Sequence, residues 1–253
     1  MTELAYLADE AAAYTRQFIA KVVALPPGGV VLDRTFFYPA GGGQLADHGS
    51  LTPSGGSGIP VVDVTKSGSS VVHRVRRAAL SAASPLQVGD SIEGTLDWER
   101  RHRHMRLHTG QHLLSALIFA RTGVRTLEAA MVETSGTIDL ERPLPPSVDS
   151  GKLATEANAL IAEGRRVTIR HQSRAEWERN PAPRSGLVAL PRQVDPVRII
   201  EIDGLDACPC GGTHVRSTRE VGAVALDPPV AIALGASRLP FRLLDASTPT
   251  PVA

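Results

Sequence analysis

Two short stretches far apart in the chain, HTGQH at 108–112 and CGGTH at 210–214, hold three histidines and a cysteine between them. Any fold that uses these side chains together must bring two distant segments to one point. On a helix turning about 100° per residue, His108 and His112 fall within about 40° of each other, so two imidazoles project together, with Ser115 and Phe119 on the same side. Leu107, Leu114 and Ile118 line the neighbouring arc, with Leu113 and Leu117 beyond them. The pattern predicts a mostly buried helix whose histidine stripe faces a cleft. Gly110 lies off that stripe, where a missing side chain allows another backbone to come close. A histidine pair at this spacing is, taken alone, more often two ordinary core histidines than a metal half-site. The second stretch reverses that balance. Cys210 and His214 bracket Gly-Gly-Thr, whose backbone can curl until a thiolate and an imidazole converge. Three imidazoles and one thiolate suit zinc, whereas calcium and magnesium take oxygen ligands.

The chain has only two cysteines, Cys208 and Cys210, with one proline between them. A disulfide across so short a loop would be strained and would constrain little of the unfolded chain, so free thiols in a reducing compartment are expected. Cys210, in register with the glycines and His214, is the expected ligand rather than Cys208. The N-terminus MTELAYLADEAAAYTRQF has acidic residues where a signal peptide needs a basic segment, and no run approaches a membrane span. A cytoplasmic protein is expected. A net charge of +1 excludes a uniformly basic nucleic-acid binder. Lys21, Lys66 and Lys152 are the only lysines, so the cationic charge is almost all arginine, the better residue for bidentate phosphate contacts.

At 253 residues, two domains are expected. Up to about residue 98 the texture is β-rich: GVVLDRTFFYPA, IPVVDVT, SSVVHRV and DSIEGTLDW are short β-branched runs between glycine, serine and proline clusters, which predicts a small barrel or sandwich. SAASPLQVG reads as a loop before the last of them. From residue 99 the texture changes. ERRHRHMRLHTGQHLLSALIFART lacks proline and is stopped by Gly123, so it predicts one long helix. A second helix is expected at SGKLATEANALIAEG, capped by Asp149 or Ser150, with Leu153, Ala157, Leu160 and Ile161 on one face and Gly164 at its end. Strands are expected again at RVTIRHQ, PVRIIEI, VGAVAL and VAIALG. WERNPAPRSG reads as a surface loop and STPTPVA as a frayed tail. There is no internal repeat.

HTGQHLLSA together with CPCGGTHV resembles the paired metal motifs of the alanyl-tRNA editing proteins of the AlaX type, free-standing relatives of the editing domain of alanyl-tRNA synthetase. RTFFYPAGGGQLADHG at 34–49 is similar to that family's glycine-rich segment. The resemblance extends through RTLEAAMVETSGTIDL at 125–140 and VRIIEIDGLDACPCGGTHVRSTREVGAVAL, and so covers about Arg34 to Leu226. It implies an α+β protein: a small N-terminal β-barrel domain, residues 1–98, followed by a mixed α+β editing domain with antiparallel sheet, residues 99–253. It implies zinc held by His108, His112, Cys210 and His214. It implies hydrolysis of the ester that joins serine or glycine to the tRNA for alanine. The chain is too short for a full synthetase.

Serine can be selected by a hydrogen bond to its hydroxyl, and the resemblance places Thr126 in the pocket for that role; a strand threonine without function is an equal reading. Gln111, inside the helical motif, is expected in the same pocket. Glycine offers no group that alanine lacks, so only a clash with a methyl can select it. Gly41, Gly42 and Gly43 are expected to bring backbone close to the substrate, and Gln44 to act over the site; a plain tight turn explains the glycines but not the glutamine. Arg100, Arg101, Arg103 and Arg106 concentrate charge before the metal helix and are expected to meet tRNA phosphates, against the plainer reading of a solvated face. No obligatory protein partner is evident. Neither metal motif contains a carboxylate, so a general base of the HExxH kind is missing, and this counts against a zinc hydrolase of small molecules or peptides. The competing reading from another class is a non-catalytic, zinc-stabilised RNA-binding module.

Overall fold

The computed structural model describes residues 1–76, 86–179, 190–191 and 194–244. It is a mixed α+β protein with antiparallel sheets and few helices, and it divides into two compact units, Met1–Arg103 and His104–Ala253. The boundary falls inside one long helix.

In the first unit a short strand β1 (Glu3–Leu4) precedes β2 (Gln17–Ala24), β3 (Gly29–Leu32), β4 (Arg34–Thr35), β5 (Gly49–Pro53), β6 (Ile59–Ser67), β7 (Ser70–Val75) and β8 (Ser91–Leu96). β1 pairs with β4 in parallel. The six longer strands run β2-β3-β7-β6-β5-β8, all antiparallel, and β8 pairs back on β2 to close the ring. Along β2 the side chains alternate: Phe18, Ala20 and Val22 point inward while Gln17, Ile19 and Lys21 face out. Val30, Leu32, Leu51, Val61, Val64 and Ile92 complete the same core. Two of these strands, β2 and β5, are not among the runs read from the sequence.

Helix α1 (Trp98–Thr122) begins where the Asp97 carboxylate accepts the Arg100 N–H, and ends at Gly123, whose positive φ of 65° and N–H bond to the Phe119 carbonyl close the last turn. The second unit continues with β9 (Thr126–Met131), β10 (Ser135–Leu140), α2 (Ser150–Glu163), β11 (Val167–Gln172), α3 (Arg174–Arg179), β12 (Val197–Ile202), β13 (Asp206–Pro209), β14 (Ala223–Leu226), β15 (Val230–Ala231) and β16 (Ser237–Leu244). Two antiparallel sheets result, β14-β16-β10-β9 with β15 on β16, and β11-β12-β13. Asp149, not Ser150, caps α2 by accepting the Lys152 N–H, and Gly164 ends it in the left-handed conformation. The first three residues of the expected WERNPAPRSG loop belong to α3, with Trp177 buried; the rest of that loop, the first five residues of SAASPLQVG and the STPTPVA tail lie outside the described residues. Among the described residues no helix is long and apolar enough to cross a membrane.

Candidate metal centre

From Leu107 to Ile118 every residue of α1 is buried, the polar stripe of His108, His112 and Ser115 as well as the leucines. Gly110 does admit a close neighbour, but it is the side chains of Val221 and Val224 rather than a backbone: a Cβ there would lie 3.3 Å from Val221. Opposite the histidine stripe stands the segment after β13. β13 pairs with β12, the Cys210 N–H donates to the Arg198 carbonyl, and the Arg198 guanidinium donates to the carbonyls of Cys210 (2.6 Å) and Gly212 (3.0 Å). Arg198 thus clamps the curled CGG backbone from inside the protein.

The four expected ligands meet. His108 Nε2 and His214 Nε2 each lie 3.4 Å from Cys210 Sγ, and the three imidazole centroids are 4.4–5.2 Å apart. All four ligand atoms fall within 4.8 Å of one another. Bonds of about 2.0–2.3 Å to a tetrahedral ion would place neighbouring donors about 3.3–3.6 Å apart, so the separations at the sulfur already fit a metal. Cys208 does not join the cluster.

The rings are turned by partners that the sequence reading did not name. The Asp206 carboxylate faces His112 Nδ1 at 3.2 Å, which puts the proton on Nδ1 and leaves Nε2 to a metal. Thr109 Oγ1 lies 3.1 Å from His214 Nδ1 and accepts the Val215 N–H at 3.2 Å. Burial pushes His108 down to about 3, helped by the Arg198 charge, and pushes His214 well below the usual histidine value. Burial by itself would raise the Cys210 thiol. His112, the Gly212 N–H and Arg198 outweigh it and hold the thiol below its ordinary value. Neutral imidazoles beside a readily ionised thiol are the protonation states that metal ligation needs.

One turn along the helix, the hydroxyl of Ser115 gathers two of the expected pocket residues. Gln111 Nε2 donates to Ser115 Oγ at 2.8 Å, and the Thr126 and Ser115 hydroxyls share a hydrogen bond of 2.8 Å. Thr126 reaches it through a β-bulge. The ladder pairs Asp139 with Glu128 but Leu140 with Thr126, so Leu127 is an extra residue. Leu127 and Glu128 are both exposed in succession, and Thr126 turns inward instead.

The glycine-rich segment of the first unit is a tight hairpin. Gly41 and Gln44 exchange two backbone hydrogen bonds, and Gly42 and Gly43 have φ of 56° and 79°, as the two central residues of a mirror-image turn require. Tyr38 donates its hydroxyl to the Gly41 carbonyl at 2.7 Å. Gln44 is buried.

Two of the four expected phosphate-binding arginines are used inside the first unit. Arg101 and Asp47 form an ion pair with both side chains fully buried, and Arg101 also donates to the Ala13 carbonyl. Arg100 is buried and donates to the Ala46 carbonyl. Releasing either would leave a buried acceptor or carboxylate without its cation, so the phosphate role expected for them is replaced by a structural one. Arg103 and Arg106 are partly exposed, with Arg106 donating to the Val221 carbonyl.

Residues 7–100 match the family model described as tRNA synthetases class II (A), and residues 197–231 match the second additional domain of threonyl and alanyl tRNA synthetases. Over 251 residues the chain is 30% identical to the alanyl-tRNA editing protein AlaX-M of Methanosarcina mazei, covering 98% of this chain and 99% of that protein. It is 32% identical over 251 residues to the AlaX-M of Methanosarcina acetivorans, covering 97% and 100%. It is also 35% identical over 255 residues to the alanine–tRNA ligase of Cenarchaeum symbiosum, covering 97% of this chain and 27% of the ligase.

Proposed function

The chain belongs to the alanyl-tRNA editing proteins of the AlaX-M type, and we propose that it hydrolyses the ester bond holding serine or glycine on the tRNA for alanine. The observation that carries this reading is that a buried face of α1 brings His108 and His112 to Cys210 and His214 and, one turn on, joins Gln111 and Ser115 to Thr126 in one hydrogen-bond group. An alanine-shaped synthetic site cannot exclude the smaller glycine and discriminates poorly against serine, so correction needs a separate hydrolytic site with different selection.

Three imidazoles and a thiolate at these separations fit zinc, which His108, His112, Cys210 and His214 would hold. Bound there, zinc supplies Lewis acidity toward an ester or water oxygen. The protein's own share is positioning. Asp206 and Thr109 orient two imidazoles, Arg198 braces the Cys210 backbone, and Thr126 presents its hydroxyl to that of serine. An aminoacyl ester is already activated, so holding it in place beside a water supplies much of the acceleration without a protein general base.

In this reading residues 1–98 form a barrel domain carrying the glycine-rich motif, and residues 99–253 the editing domain. The Gly41–Gly43 turn and Gln44 take the part in rejecting alanine that the family resemblance implies, and Arg103 and Arg106 meet tRNA phosphate. The reading is supported by the turn's two positive-φ glycines, which fix its shape, and by the partial exposure of the two arginines.

A second reading, a non-catalytic RNA-binding module stabilised by zinc, is favoured by the closed set of four protein ligands, as in structural zinc sites. Deacylation assays with seryl-, glycyl- and alanyl-tRNA(Ala) decide between them. We expect release of serine or glycine and sparing of alanine, and loss of that release on chelation while the chain stays folded. Unfolding on chelation, with no deacylation before it, would establish the module instead.

A further inference from the structure

Aromatic side chains are scarce in this chain, and most of them lie in the cores. Tyr14 and Trp98 are among the exceptions. Both are half-exposed on the first unit, where they gather with the half-exposed His102. Trp98 and His102, one turn apart on α1, stack at 23° with ring centroids 5.4 Å apart, and Tyr14 lies tilted against Trp98 at 5.5 Å. The Arg16 guanidinium lies over the Trp98 ring, 4.3 Å from its centroid. Arg16 is exposed, and no carboxylate among the described residues is bonded to it. A cation is drawn to the face of an indole by the ring quadrupole, and a guanidinium is itself planar, so Arg16 extends the stack outward. Asp97 and Glu99, exposed on either side of Trp98 in the sequence, offset its charge. The patch is therefore a poor attractor of phosphate and a good platform for a flat, uncharged ring.

We propose that Arg16, Trp98, His102 and Tyr14 form a stacking surface on the first unit for an unpaired base of the tRNA, which lies on the Arg16 guanidinium with the indole beneath it. The inference rests on the reading that tRNA is the substrate. RNA offers free ring faces where its bases are unpaired, and proteins hold such bases on aromatic rings and guanidinium planes. Every base has such a face, so this surface adds affinity without reading sequence.

The test measures binding of uncharged tRNA(Ala) to the full chain at low and at physiological salt, for wild type, Arg16→Lys, Arg16→Gln and Trp98→Leu. Lysine keeps the charge and loses the plane. Arg16→Lys and Arg16→Gln should therefore weaken binding alike, by about five- to tenfold, the lower part of the range for one stacked base. The loss in Arg16→Lys should be the same at both salt concentrations, because stacking is not screened as a phosphate contact is. Trp98→Leu should lose at least as much. Wild-type affinity in Arg16→Lys would make position 16 a point charge or a bystander, and would overturn the stack. That variant alters an exposed side chain, so its result stands even if Trp98→Leu fails to fold. Wild-type affinity in all three variants would overturn this surface and leave the function reading intact, whereas a wild-type chain that binds no tRNA(Ala) would overturn both.

Discussion

Two buried histidine environments, one in each unit, show what separates a core histidine from a ligand. In the first unit His73 is fully enclosed. Its Nδ1 donates to the Val30 carbonyl at 3.0 Å, its Nε2 takes the Thr35 hydroxyl at 2.8 Å, and Phe37 packs edge-on against the ring. Both nitrogens have neutral protein partners, and burial pushes its pKa down to about 4. In the second unit His108 and His214 are as deeply buried, but each turns a nitrogen toward Cys210, and His214 uses the other on Thr109. Burial and a depressed pKa are thus common to both kinds of site. The difference lies in where the second nitrogen points: at one satisfied partner, or at a place that three other ligand atoms also face.

The largest effect expected from this contrast is at Cys210. Cys210→Ala should abolish stoichiometric metal binding and slow deacylation by at least about 100-fold, as the loss of a catalytic metal ligand does. His73→Gln should leave metal content unchanged. Elemental analysis of both purified variants checks this, and full metal occupancy in a folded Cys210→Ala protein would remove the ligand assignment.

Next in size is the acid response of His73. Its folded pKa of about 4 lies below the unfolded value of 6.5, so between those limits the unfolded chain binds more protons than the folded one. Its contribution is full above pH 6.5, declines as the pH falls and is gone below about pH 4. The shift corresponds to on the order of 3 kcal/mol at 1.36 kcal/mol per unit. Urea unfolding of the whole protein at pH 7 and pH 4.5 should show a steeper loss for wild type than for His73→Gln, which keeps a donor and an acceptor but does not titrate. Parallel losses would place the acid sensitivity elsewhere.

Asp206 comes third. A carboxylate on the far nitrogen of a ligating imidazole fixes its tautomer and raises its basicity, and losing such a partner typically costs about 10- to 100-fold in metal affinity. Asp206→Asn keeps the shape and an acceptor, so roughly tenfold is expected, read as a shift in a competitive chelator titration. An unchanged titration would show that the His112 ring is held by packing alone.

How much of this was legible in the sequence follows from the range of the interactions involved. The four ligands were legible because helix geometry aligns His108 with His112 and because glycines next to Cys210 allow a local curl. Asp149 and Gly164 announced the ends of α2 for the same local reason, and β-branched runs between turn-forming clusters announced β6, β7 and β8. β9, β10, β13 and β16 were missed: β9 carries a bulge that breaks its alternation, and β13 is only four residues long. Asp206 left a faint trace, an acid four residues before Cys210, but its pairing with His112 depends on the turn after β12. Arg101 misled for the opposite reason. A run of arginines reads as one charged face, whereas at about 100° per residue the helix directs Arg101 away from Arg103, and only the fold reveals Asp47 waiting behind it.

The smallest expected effect, at Thr109, sharpens the contrast between the two ligand-orienting partners. Thr109 is neutral, whereas Asp206 is charged, and hydrogen bonds to an ionised acceptor are roughly twice as strong as neutral ones. His214 should therefore be held less firmly than His112. Thr109 also has a second duty, since its oxygen accepts the Val215 N–H in a buried place, and removing the hydroxyl leaves that N–H unmet at about 1–3 kcal/mol. Thr109→Val should consequently lower metal affinity only about two- to fivefold, less than Asp206→Asn, while costing more in overall stability. Thr109→Ser, which keeps the oxygen and drops a methyl, should restore the affinity. If Thr109→Val weakened the metal as much as Asp206→Asn does, the strength of orientation would depend on the backbone around His214 rather than on the charge of the partner, and the ranking of the two partners would reverse.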